Sequence, residues 1–207
     1  MKSRTRQSGS PSAARVKGIR LLIVDDHEAV RAGLVALLED EPEVADIQSA
    51  SSCREALAVA EGMRPNLAVV DFHLPDRDGL RLTQKLKSTS DPPRVLVYSA
   101  YADQWLELAA LISGADGVLG KGTLGAELCD RVKALARGRL NQFSISPETL
   151  AAAAYELDIN DRPILGMLAN GTPPQEIANV LRVSERWVDS RRSEMLRRLP
   201  ALQHVRR

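Results

Sequence analysis

The chain has 207 residues, and its 28 Lys+Arg against 27 Asp+Glu leave a net charge of +1. That length suits one large domain or two small ones, and the neutral balance excludes a uniformly basic nucleic-acid coat and an acidic solvating tail. Apolar residues make up 44% with no run long enough to span a bilayer, and aromatics at 3% argue against a protein that stacks single-stranded bases. The two cysteines, Cys53 and Cys129, are far apart and fit reduced thiols in a cytoplasm better than a disulfide scaffold.

The charge is unevenly distributed. Residues 1–18 carry five basic and no acidic groups, residues 19–137 carry 13 and 19, and residues 138–207 carry 10 and eight. Such asymmetry suggests separate jobs for the segments. The first, MKSRTRQSGSPSAARVKG, has almost nothing to bury and is expected to be a disordered basic tail. Its composition also suits a transit peptide, but no apolar face repeats at helical spacing.

From Ile19 onward, short apolar runs alternate with amphipathic stretches. Strands are expected at Ile19 to Val24, Asp46 to Ala50, Leu67 to Val70, Val95 to Tyr98 and Gly117 to Leu119. Helices are expected at Ala29 to Leu38, Cys53 to Glu61, Leu80 to Lys87, Ala102 to Ile112 and Leu124 to Ala136. Five strands alternating with five helices predict an α/β fold built on a doubly wound, five-stranded parallel sheet. Ligands in that architecture bind beyond the carboxyl ends of the strands. There the sequence places Asp25 and Asp26, then Asp71, Ser99 and Lys121. Three carboxylates at one edge repel each other and call for a cation, and an all-oxygen cluster with open positions suits Mg²⁺. The lysine offers a point charge to a phosphoryl group and the serine a hydroxyl.

The stretches LLIVDDHEAVRAGL, LAVVDFHLPDRDGL, VLVYSA and GADGVLGKG resemble, in order and spacing, the motifs of a bacterial response-regulator receiver domain over residues 19–137. The resemblance implies that Asp71 is the phospho-acceptor, with Mg²⁺ held by Asp26, Asp71 and the backbone carbonyl of His73, and Asp25 acting through water. Lys121 would pair with the phosphoryl group and Ser99 would move to bond it, which is positioning and charge neutralisation rather than metabolic catalysis. His73 and Tyr101 stand where receivers tune phosphate lifetime. Other readings fit less well: Gly122 follows Lys121 where a phosphate loop needs Ser or Thr, and His27, His73 and His204 make no zinc cluster. One departure is Val118, where receivers commonly carry a Tyr or Phe that swings inward; valine is short and stiff.

Residues 138–150 read as a linker with a helical turn or two from Pro147, and residues 151–207 as a second, small all-α domain. A helix is expected over Arg162 to Asn170, starting near Asp161 with Pro163 in its first turn and stopped by Gly171. Thr172 is expected to cap the next, with Gln175 closing a capping box and the helix running to Leu181. Ser184 caps the last, in which Val188, Met195 and Leu199 share an apolar face while the arginines project elsewhere. This layout is that of a helix-turn-helix whose second helix enters the major groove, and IANVLRVSERWVDSRRSEMLRRL resembles the LuxR/NarL-type output domain. The resemblance implies double-stranded DNA as partner, with Arg186, Ser190, Arg191, Arg192, Ser193 and Arg197 as contact residues. Asp189 stands where that family carries a basic residue and Trp187 replaces a small Thr, so the helix from Ser184 to Leu199 nets only +2. Dimerisation would double such thin contacts.

The reading is a cytoplasmic response regulator phosphorylated by a sensor histidine kinase, dimeric when active, regulating transcription and not an enzyme. Val118 suggests a phosphorylation-independent DNA binder as the alternative; Asp189 and Trp187 suggest a protein-interaction module with a degenerate output domain.

Overall fold

A computed structural model describes residues 18–138 and 143–199. The expected basic tail, apart from Gly18, lies outside the described residues, as do residues 139–142 of the expected linker and residues 200–207.

Five strands, β1 (Ile19–Val24), β2 (Val44–Ala50), β3 (Leu67–Asp71), β4 (Arg94–Ser99) and β5 (Gly117–Gly120), pair in parallel in the order β2-β1-β3-β4-β5. The order reverses between β1 and β3, which opens a crevice at their carboxyl ends. Helices α1 (Glu28–Leu38), α2 (Cys53–Met63), α3 (Gly79–Lys87), α4 (Gln104–Ser113) and α5 (Gly125–Ala136) connect the strands. Both sheet faces are covered, so the central strands read as continuous apolar runs; β3 is buried along its whole length. The helix starts follow side-chain chemistry. Ser52, Asp78 and Asp103 each accept a hydrogen bond from a backbone N–H three residues on, capping α2, α3 and α4.

Four further helices follow: α6 (Pro147–Glu156), α7 (Arg162–Ala169), α8 (Pro174–Leu181) and α9 (Glu185–Arg198). Where the sequence suggested a turn or two, α6 runs ten residues, because Ser146 caps it at the backbone N–H of Thr149 and Pro147 stands in its first turn. Helix α7 starts after Asp161 and ends before Gly171, whose φ of 77° only glycine adopts readily. The cap of α8 is Pro173 rather than Thr172, and no side chain bonds the helix start there, so the expected capping box does not form. Ser184 caps α9 as expected, accepting from the Trp187 N–H at 3.1 Å.

The C-terminal helices pack onto the sheet domain through α4, which touches α6, α7 and α9. Leu106, Leu108, Ala109, Ala110 and Ile112 of α4 share one apolar cluster with Ile164, Leu165, Met195 and Leu196. With burial on two sides, α4 is apolar around most of its circumference, unlike a helix with one solvent face.

Asp116, before β5, is the main polar tie of the sheet's other end. It accepts from Lys87 Nζ at 2.5 Å, Arg94 Nη1 at 2.7 Å and the Val95 N–H at 2.8 Å. Burial pulls the Lys87 ammonium below the ordinary lysine range in spite of Asp116, so loss of the carboxylate leaves a desolvated charge with the Pro93 carbonyl but no counter-charge among the described residues. Asp116→Ala is expected to cost about 3–5 kcal/mol in denaturant titration. Adding Lys87→Met should recover part of the loss; full additivity of the two changes would refute the pairing.

Candidate functional site

The crevice at the carboxyl ends of β1, β3 and β5 gathers Asp25, Asp26, Asp71 and Lys121. Asp71 is the last residue of β3, and Asp25 and Asp26 follow β1 directly. Asp25 and Asp71 are 1% and 3% exposed. The Lys121 ammonium lies between them, 2.6 Å from Asp25 Oδ2 and 2.9 Å from Asp71 Oδ2. Desolvation works against the charge on Lys121, but its hydrogen bonds to the two carboxylates prevail and hold its pKa above the ordinary value. At Asp71 burial wins: desolvation raises the carboxyl pKa despite Lys121 and a hydrogen bond from the His73 backbone N–H.

Carboxylate oxygens of Asp25, Asp26 and Asp71 and a ring nitrogen of His27 lie within 4.8 Å of one another. Asp25 Oδ2 is buried, with the Lys121 ammonium 2.6 Å away. The three carboxylates make a hard-oxygen set that fits a divalent cation. His27, which the sequence left as a loop residue, places Nδ1 2.6 Å from Asp26 Oδ1 while its side chain remains largely exposed.

Of the other expected residues, Ser99 ends β4 fully buried, its hydroxyl accepting from the Tyr101 N–H at 3.2 Å. His73 is exposed and its ring meets Phe72 edge-on. Val118 is partly buried against the cluster that contains α4. Three supporting residues escaped the sequence reading. Arg31 donates to the Asp25 carbonyl at 2.7 Å, and the Tyr98 hydroxyl lies 3.4 Å from the Lys121 carbonyl. A Cβ at Gly79 would stand 2.0 Å from the Asp71 carbonyl oxygen, so only glycine lets α3 start this close to the site. The Asp78-Gly79 pair was its one signal, as turn chemistry.

The expected DNA-contact residues divide into two sets. Arg186, Ser190 and Arg197 are exposed, although Arg197 also pairs with Glu194. Arg191 forms a two-point pair with the buried Asp161, at 2.6 and 2.9 Å, with its guanidinium 6.0 Å from the Trp187 ring. Ser193 accepts from Gln84 of α3 at 3.2 Å. Arg192, expected to project to solvent, is 6% exposed. It donates to the Ile112 carbonyl at the end of α4 at 2.7 Å and to Asp189 at 2.9 Å. The end of a helix leaves carbonyls unpaired, and a cation is favoured there. That attraction, with the long apolar stem of arginine, explains why a residue read as solvated turns inward.

A five-stranded parallel sheet with an acidic pocket and a lysine between two of its carboxylates defines a receiver-type module. Residues 21–133 match the response regulator receiver domain family. The DNA-binding transcriptional activator DevR/DosR of Mycobacterium tuberculosis is 34% identical over 191 residues, 87% of this chain and 88% of that protein. The response regulator protein VraR of Staphylococcus aureus is 29% identical over 87% of this chain and 90% of its own. Among solved structures, a LuxR-family two-component response regulator from Aurantimonas sp. superposes with a TM-score of 0.57 at 29% identity, covering 67% of this chain and 97% of that one. The chain belongs to the response regulator family. Among the described residues no helix is long and apolar enough to cross a membrane.

The raised pKa of Asp71 carries a stability consequence. A carboxyl that holds its proton more tightly folded than unfolded favours folding below its ordinary pKa of 3.8 and loses that contribution as pH rises through the folded value. Asp71→Asn is therefore expected to raise Tm in metal-free buffer at pH 7, by about 2–4 °C for each kcal/mol relieved in a chain of this size. The gain should vanish below about pH 4; a lower Tm at pH 7 would mean that the Lys121 pair outweighs burial.

Proposed function

We propose that the protein is a transcription regulator of a two-component system in which Asp71 accepts a phosphoryl group from a sensor histidine kinase. The observation that carries this reading is Lys121 held at hydrogen-bond distance from both Asp25 and Asp71 in a nearly dry pocket. Phosphorylation would replace one carboxylate charge with a larger dianionic group facing a ready cation. Asp26, Asp71 and the His73 carbonyl would hold Mg²⁺, with Asp25 acting through water. Bound there, the ion would neutralise phosphoryl oxygens. The protein is a regulator and not an enzyme, working in the cytoplasm.

The sheet domain, residues 19–137, is the receiver, and the C-terminal helices bind double-stranded DNA as a homodimer. The linker would be residues 138–150 and the output unit residues 151–207, with α6, which begins at Pro147, packed in the apolar cluster that α4 shares with the C-terminal helices. In this arrangement α9 is turned toward the receiver: Arg192 and Ser193 are bonded to α4 and α3, leaving Arg186, Ser190 and Arg197 outside. Phosphorylation would favour a form in which α9 is released. The path is short, since only residues 100–103 separate Ser99 from the start of α4. Val118 weighs against the usual aromatic relay, and the α4 contacts offer a route that needs none.

Two measurements test the reading. With a small phosphodonor and Mg²⁺, the full chain should gain a phosphoryl group by intact-mass spectrometry and bind enriched genomic fragments more tightly, and Asp71→Asn should do neither. Equal DNA binding with and without the donor would favour a phosphorylation-independent binder. Separately, a Cβ at Gly114 would stand 2.5 Å from Arg192 Nη2. Gly114→Ala should displace the guanidinium and raise the DNA affinity of the unphosphorylated chain by about 3–10-fold, as expected where a hidden state is released by about 0.7–1.4 kcal/mol. Unchanged affinity in a folded variant would mean that the contact does not restrain α9.

A further inference from the structure

Between α3 and α9 lies an open cleft of about 380 Å³, floored in part by Leu80 and Leu196. Its walls carry six cations, Arg77, Arg81, Lys85, Lys87, Arg192 and Arg197, against the carboxylates of Asp78 and Asp189. Four of these cations have partners: Arg81 with Asp78, Lys87 with Asp116, Arg192 with Asp189 and Arg197 with Glu194. Arg77 and Lys85 form no ion pair among the described residues, and both are exposed. Arg81 and Lys85 stand one turn apart on α3, with Arg77 just before the helix start. Like charges at that spacing repel, and across the cleft Arg197 adds to the field. Gln84, Ser88 and Ser193 supply neutral hydrogen-bonding groups on the same walls.

We propose that this cleft binds a compact polyphosphate-bearing small molecule of nucleotide size. The volume falls in the range of ligand pockets, the apolar floor suits a flat ring, and the unpaired cations suit phosphate oxygens. A DNA duplex is too wide to enter a recess of this size between two helices, whereas a phosphate chain can reach Arg77 and Lys85, which line this cleft and also border the neighbouring recess against α2. Because the walls come from α3 of the receiver and from α9, an occupant touches both domains and holds them together. The binding site stands apart from the acidic pocket and is complete in the unphosphorylated chain; release of α9, as proposed on phosphorylation of Asp71, would open it.

Calorimetric titration of the full chain in EDTA with ATP, and separately with inorganic tripolyphosphate, tests the assignment. Saturable one-to-one binding is expected, weakened roughly tenfold or more in Arg77→Ala/Lys85→Ala, as the loss of two charge-assisted contacts requires. Asp71→Asn should leave it unchanged. Preference for ATP would assign a nucleotide, and equal binding a bare polyphosphate chain. The assignment is overturned if neither anion saturates, if the double variant binds as well as the native chain, or if Asp71→Asn abolishes binding. It is also overturned if duplex DNA alone binds through the two residues, which would make them phosphate contacts of the output domain.

Discussion

The burial of α4 on two sides is the constraint on which the arrangement of the molecule rests. One face of the helix completes the sheet domain, and the other is covered by α6, α7 and α9. A helix in that position cannot shift without disturbing packing on both sides, since interiors are dense and transmit strain. Each fully buried Leu or Ile on it contributes on the order of 2 kcal/mol, and the two domains draw on the same residues. The helix that begins five residues after Ser99 is thus also the seat of the C-terminal helices.

The acidic pocket shows the opposite economy. There the structure keeps charges close together and dry, with Lys121 shared between Asp25 and Asp71. Such a site is poised, because the burial that raises the Asp71 pKa also makes any new charge at that position strongly felt. The supporting groups are backbone and glycine as much as side chain: the His73 N–H, and Gly79 lying against the Asp71 carbonyl.

The fold was legible wherever a single local pattern decided it. Buried parallel strands show as short apolar runs, and the residues at their carboxyl ends could be named because that edge is where such sheets place ligands. Asp25, Asp26, Asp71 and Lys121 meet as those positions imply. Less was visible where the outcome depended on distant partners. The Ser146-Pro147 start of α6 was hidden in a stretch whose Gly, Pro and Ser content reads as linker. At α8, Thr172 is good cap chemistry, yet two prolines moved the start one residue on. Arg192 is the clearest case. Arginine on a polar helix reads as exposed, and only the carbonyl of Ile112, 80 residues away, reveals why it is not.

The guanidinium of Arg192 occupies the space that any side chain at Gly114 would fill, and Gly114 itself has a φ of 90°. The glycine therefore serves two masters: it ends α4 in a left-handed turn, and its missing Cβ is the socket for a residue of another domain. A change at 114 alters the output helix without touching it, and a smaller residue at 192 would relax the steric demand on 114 while leaving the demand of its backbone. Such one-sided dependence means that position 192 tolerates substitution more readily than position 114.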